Sequence, residues 1–188
     1  MNLLPHTLLL MNLAAATAVF AADPDADLRR FLGTYVGRAE EVALDERVRV
    51  ERDVDLTISP KGQDGLLLTW TNVTLVNGRR DVPGVQRRTD EMWLVPAPGR
   101  GFYYARAAYD PFSERRPLDA IAGGDPVRWS SMSDDSLQVY SFVILDDGRY
   151  ELQIYVRALT SDGLSLDWKR YMDGELVAHM TGDLVRTR

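Results

Sequence analysis

Between Leu145 and Met180 the chain reads LDDGRYELQIYVRALTSDGLSLDWKRYMDGELVAHM, in which a short apolar run stops three times at an Asp-Gly pair and restarts. Asp-Gly accepts the positive φ angles of tight hairpin turns, so Asp147-Gly148, Asp162-Gly163 and Asp173-Gly174 predict chain reversals. Between the reversals apolar residues recur at every second position. Tyr150, Leu152, Ile154, Val156 and Ala158 share one parity, against Glu151, Gln153, Arg157 and Tyr155 on the other. Leu164, Leu166 and Trp168 repeat the pattern, as do Leu176, Ala178, Met180 and Leu184. A period of two is the mark of a strand with one buried face, and the apolar parity is expected to be that face. With Leu137 to Leu145 as its first member, this third of the chain reads as a four-stranded antiparallel meander.

The preceding sequence follows the same grammar. Val48, Val50, Val54, Leu56 and Ile58 alternate with charged residues, SPKGQDG (Ser59 to Gly65) is a turn, and Leu66 to Val76 is rich in β-branched and aromatic residues. Asn77-Gly78 is a further hairpin signal. Gln86 to Val95, Gly101 to Ala108 and Val127 to Ser133 read as strands, with an irregular stretch from Tyr109 to Pro126. Only Ala26 to Phe31 reads as a helix, capped by Asp25 or Asp23. The total is eight to ten strands, nearly all joined to their sequence neighbours. A sheet of that length must deal with its edges, and closure removes them. A sandwich needs longer crossing connections than these. The expected fold is all-β: an antiparallel up-and-down barrel of 8–10 strands with a short N-terminal helix.

Residues 1 to 21 are set apart. No charged side chain precedes Asp23, the run from Leu8 to Phe20 is apolar, and small residues stand at Ala18 and Ala21. This is the pattern of a cleaved export signal, cut after Ala21 or Ala22, although its n-region lacks Lys and Arg. A retained anchor or a misplaced start are the alternatives. No other run is long enough to span a bilayer as a helix. Residues 22–188 then form one domain by length. The chain has no cysteine, so packing alone holds it together. Its only lysines are Lys61 and Lys169, an arginine bias expected of a GC-rich bacterial genome, which places the protein in a periplasm or outside the cell. A net charge of −6 makes nucleic acid a poor partner.

FLGTY (Phe31 to Tyr35), following the short helix and opening the first strand, resembles the F-x-G-x-W start of calycins, the lipocalin and fatty-acid-binding-protein group. The resemblance covers five residues, with Tyr in place of Trp. It implies a barrel whose end is plugged by Tyr35, with Arg186 or Arg188 stacked on its ring, and an apolar cavity for a small ligand. The chain also looks like an exported bacterial family without a known function.

Little in the sequence points to catalysis. His179 is the one histidine after the leader, and it lies opposite in parity to the apolar face of its strand. Cysteine nucleophiles and multi-histidine metal sites are therefore excluded. The carboxylate pairs fall at turns, or on strands where neighbours face opposite ways. No metal or cofactor is expected. Arg79, Arg80, Arg87 and Arg88 flank a Val-Pro-Gly turn, and are either a solvated loop partly neutralised by Asp81 and Asp90 or an anion contact for an acidic envelope partner. Arg52 shares parity with the apolar residues of its strand, and Arg38 and Glu40 do likewise beside Val36 and Val42. A guanidinium so placed meets an inward acid, with Glu40 the expected partner, or a ligand head group, unless a β-bulge turns Arg52 outward. Trp70, Trp93 and Tyr155 are candidate ligand walls. The expected function is non-catalytic: binding a small apolar or amphipathic ligand inside the barrel. The alternative is an envelope interaction protein whose barrel is filled by its own side chains. A cavity of about 300 Å³ or more separates the two.

Overall fold

The computed structural model of the chain describes residues 28–44, 48–62, 64–97, 102–105, 125–133 and 135–187. A single 3-10 turn, Leu28–Phe31, leads into ten strands: β1 (Gly33–Ala43), β2 (Val48–Lys61), β3 (Gly65–Thr74), β4 (Gln86–Pro96), β5 (Phe102–Ala105), β6 (Val127–Met132), β7 (Ser136–Ile144), β8 (Tyr150–Leu159), β9 (Gly163–Met172) and β10 (Glu175–Thr187). Each strand pairs antiparallel with its sequence neighbours, and β1 pairs with β10 to close the sheet into a barrel. The expected architecture is therefore observed. The leader expected over residues 1–21, the first part of the expected helix and most of the irregular stretch lie outside the described residues.

The turns explain the meander, with one difference in cause. Asp173 and Gly174 both take positive φ, 50° and 87°, and Gly148 takes 84°, as tight reversals require. Gly163 does not have a positive φ. It begins β9, and a Cβ there would collide with the Leu184 backbone carbonyl across the β9–β10 ladder. Glycine is needed at this position for close approach, not for turning. Asn77-Gly78 also reverses the chain, with φ of 51° and 71°, but it closes only an isolated Val76–Arg79 bridge inside the long β3–β4 connection.

The lower half of the barrel is a packed apolar core. Leu56, Ile58, Leu66, Leu68, Leu94, Leu137, Leu164 and Leu184 are all buried in it. Phe31 and Tyr35, both fully buried, close that end. The Tyr35 hydroxyl donates to the Phe31 carbonyl at 2.8 Å. Arg186 stands opposite Tyr35 on β10 and lies over its ring, 5.2 Å from the centroid. It also donates to the Tyr35 hydroxyl at 2.7 Å and to the Arg30 carbonyl at 2.6 Å. Arg186 thus lies on the ring that the calycin resemblance pairs with Arg186 or Arg188, and Arg188 lies outside the described residues. Arg186→Ala removes charge-assisted hydrogen bonds and a cation–π contact, and is expected to cost about 1–2 kcal/mol. Urea unfolding measures that loss, and hydrogen exchange should quicken first at residues 28–32.

One expectation about the interior is reversed. In β8, Leu152, Ile154 and Val156 face outward, and Glu151, Gln153, Tyr155 and Arg157 face the interior. The register leaves no choice, because Tyr155 pairs with Trp168, and Arg157 with Leu166 and Leu137. The outward apolar residues are not isolated in water. They join Val127, Trp129, Tyr140 and Phe142 on the outer surface of β6–β8, where Trp129 stacks on Tyr140 at 5.2 Å and Phe142 meets Tyr150 at 5.8 Å. Leu152, Ile154 and Val156 are each half-buried. Alternation gave the period correctly and the face wrongly.

Candidate functional site

The inward parity of the strands changes character along the barrel axis. Below Arg157 it is aliphatic; above, charged and polar side chains are interleaved with apolar ones such as Leu68, Met92 and Val139. This upper half encloses a cavity of about 320 Å³ whose lining includes five arginines (Arg52, Arg88, Arg128, Arg157 and Arg170) and three carboxylates (Glu41, Asp90 and Glu91). Trp70, Tyr155 and Trp168 supply aromatic walls. A second void of about 20 Å³ lies against Leu56, Leu166 and Leu184 and shares Tyr155 and Arg157 with the first.

Three of the five arginines are neutralised by an inward or rim acid. Arg52 grips Glu41, with Nε and Nη2 each 2.6 Å from Oε2, and donates Nη1 to the Thr74 hydroxyl at 2.6 Å. The expectation that Arg52 faces inward and meets an acid is met, but the acid is Glu41, not Glu40. The reason is parity: Tyr35 and Ala39 point into the barrel, so odd-numbered β1 residues face in. Glu40 instead pairs with Arg49 on the outside at 2.7 Å. Arg38 is corrected for the same reason. It faces solvent beside Asp53 at 3.3 Å and is no part of the cavity. Arg88 Nε lies 2.7 Å from Asp90. Arg170 Nε lies 3.1 Å from Glu151.

Arg52→Met would leave Glu41, four-fifths buried, facing the cavity without its counter-charge. The expected cost is about 1–3 kcal/mol. Adding Glu41→Gln should restore most of it, which a double-mutant urea series tests.

Arg157 is different. Its residue is 5% exposed, and its Nε and Nη1 are buried with no hydrogen-bond partner. Among the described residues it meets the Tyr155 ring, 5.5 Å from the guanidinium carbon. Its ladder neighbours, Leu137 and Leu166, offer no acceptor side chain. Burial pushes its pKa down to about 10, so it remains a cation at neutral pH. Arg128, half-buried on β6, has no acid partner among the described residues.

The polar parity of β8 is a connected ladder. Gln153 donates to Glu151 and accepts from both Trp168 Nε1, at 3.1 Å, and the Tyr155 hydroxyl, at 2.5 Å. Burial raises the pKa of the Tyr155 hydroxyl, while Arg157, Trp168, Arg128 and Arg88 oppose the rise. Tyr155 is therefore a neutral hydroxyl at working pH, with the Arg157 guanidinium carbon 5.5 Å from its ring.

The remaining candidates separate. Trp70 lines the cavity. Trp93 does not: its neighbours Met92 and Leu94 are the inward residues of β4, and Trp93 lies outside under the Lys61 ammonium, 4.9 Å from its ring. The arginine loop is at the open end but forms no single patch. Arg79 pairs with Asp81 at 3.2 Å, Arg80 bridges Asp53 and Asp55, Arg87 is exposed on the outside and Arg88 turns in. Arg128, Arg157 and Arg170 were not singled out from sequence. Arg157 and Arg170 share parity with cavity residues, a signal that shows only once the face of β8 is known. His179 faces outward opposite Lys169, and no cluster of three metal-ligating residues occurs among the described residues. No helix among the described residues is long and apolar enough to cross a membrane. The outer face of β1 and β2 carries Arg38, Glu40, Arg49, Glu51, Asp53 and Asp55, which does not fit the apolar band of a membrane-spanning barrel.

No family model matches the chain, and no curated protein matches it. Among solved structures it is similar to a protein of unknown function from the DUF3598 family of Nostoc punctiforme PCC 73102, with a TM-score of 0.54 and 14% identity over 88% of this chain and 51% of that one. The chain thus spans about half of that protein's length. An alignment to an N-terminal dehydratase from the difficidin assembly line covers 84% of this chain and 78% of that one at 8% identity, but its TM-score of 0.22 bears no argument. The likeness to the DUF3598 protein concerns the fold alone.

Proposed function

We propose that the protein is a non-catalytic, exported binding protein of calycin type that holds a small amphipathic anion inside its barrel. Arg157 carries this reading. A buried guanidinium with two unpartnered donors is costly, and a ligand carboxylate or phosphate would supply the missing acceptors. The cavity is at the small end of the usual range for ligand sites, and its aromatic walls suit a compact organic body. The floor beneath Arg157 has room for about one water, so a long aliphatic chain is a poor fit. The volume also favours a binder over an interaction protein with a filled barrel. The leader pattern supports export, and the Tyr35–Arg186 stack supports the calycin resemblance.

Native mass spectrometry of the protein purified from its own source tests the proposal. A co-purifying small acidic mass, displaced by denaturation, is expected. Binding at a hundredfold excess over Kd should stabilise the fold by about 2.7 kcal/mol. A protein that carries no such mass and is not stabilised by any small organic anion would overturn it.

A further inference from the structure

We infer that the ligand's head is dianionic, a phosphate monoester or a closely spaced dicarboxylate, held between Arg157 and Arg128. This inference rests on the anion-binding reading above and sharpens it. It begins from charge. Of the five lining arginines, Arg52, Arg88 and Arg170 already face Glu41, Asp90 and Glu151. Arg157 and Arg128 have no such partner among the described residues. Glu91, the one lining carboxylate left over, is exposed at the rim. Two uncompensated cations in a partly closed, low-dielectric space call for two negative charges, and a monoanion would leave one of them unmatched.

Position supports the same conclusion. Arg128 and Arg157 approach from β6 and β8, on either side of β7, and both act electrostatically on the one Tyr155 hydroxyl. Ser141, paired with both Arg128 and Gln153, lines the cavity from β7 at the level of Arg128, while Arg157 pairs with Leu137 four residues further along the same strand. The cavity therefore offers guanidinium donors from two strands, with the Ser141 and Tyr155 hydroxyls in the same lining, which suits a head with several acceptor oxygens. Trp70 and Trp168 remain free to cover a flat or sugar-like body.

The experiment is calorimetric titration of the whole protein at pH 7.5 with three probes of similar body: phenyl phosphate, phthalate and benzoate. Phenyl phosphate, phthalate or both should bind at least tenfold more tightly than benzoate. Phosphate alone doing so identifies a phosphate monoester, and phthalate alone a dicarboxylate. Arg128→Gln should weaken phenyl phosphate and phthalate more than benzoate, so that the tenfold advantage disappears, and Arg128→Lys should keep part of it. Thermal melts confirm that both variants fold. If benzoate binds as well as the dianions, the dianionic head is overturned and the anion site stands. If none of the three binds, the dianionic head is overturned, and the anion-binding reading falls with it only where native mass spectrometry also finds no acidic mass.

Discussion

Arg157→Met should make the protein more stable and abolish anion binding. The two effects have one origin. Arg157 is desolvated, and among the described residues it is an aromatic face that answers its charge. Replacing a poorly compensated buried ion with an apolar side chain of similar length commonly stabilises a protein, by about 1–4 kcal/mol. For a barrel of this size about 2 kcal/mol corresponds to a rise of roughly 4–8 °C in Tm. The same change removes the donors proposed to hold the ligand, so calorimetry should detect no binding of any small anion. The difference in stability should be flat from pH 6 to pH 9. Its sign follows from linkage: the folded-state pKa of Arg157 is depressed to about 10, so the wild-type protein recovers stability only as pH rises beyond that value and the guanidinium deprotonates. Tyr155, raised by burial, acts oppositely there, losing stability as pH rises past its ordinary value near 10. A destabilised variant that still bound anions would show that Arg157 serves packing alone.

The pairing of rising stability with lost binding also explains how far the site could be read from the sequence. Turn chemistry and alternation carried the strand count and the meander, because those are local properties of each strand and each reversal, and closure followed from the edges that so long a meander would otherwise leave. They also located Arg52, whose parity was unambiguous beside Val54, Leu56 and Ile58. Alternation failed on β8, where both faces are used. The outer face of β6–β8 is apolar enough to pack Leu152, Ile154 and Val156 against Phe142 and Tyr140, while the interior takes a hydrogen-bonded polar ladder. A strand whose polar residues face the cavity looks, in isolation, like a strand whose polar residues face water. Only the register with β7 and β9, a long-range property, distinguishes the two. Arg38 was misplaced by the same ambiguity, since Val36 and Val42 lie outside with it. Arg157 became visible as a site residue once Leu166 and Leu137 fixed which way it points.

Closure itself gives the other large effect, at Gly37. Its φ is ordinary, so it is not required for a turn. It stands opposite Leu184 on the β1–β10 seam, and a Cβ there would overlap the backbone carbonyl of Asp183. Gly182, on the facing strand, is shut in likewise by the Arg38 carbonyl and Ala39. The two glycines let the first and last strands meet at the point where the barrel is sewn shut. Gly37→Val must push backbone against backbone, and overpacking of that kind is expected to cost about 3 kcal/mol. The melting temperature should fall by roughly 6–12 °C. Opening the seam would also expose two strand edges, so the variant should form soluble aggregates on size-exclusion chromatography before it unfolds globally. Gly148→Ala is the matched control. Gly148 has a φ of 84° with no neighbour within 4 Å of its would-be Cβ, so that change meets only backbone strain, about 1 kcal/mol. A Gly37→Val protein that melted with the Gly148→Ala control and stayed monomeric would show that the seam tolerates separation, and that the barrel does not depend on β1 and β10 lying so close.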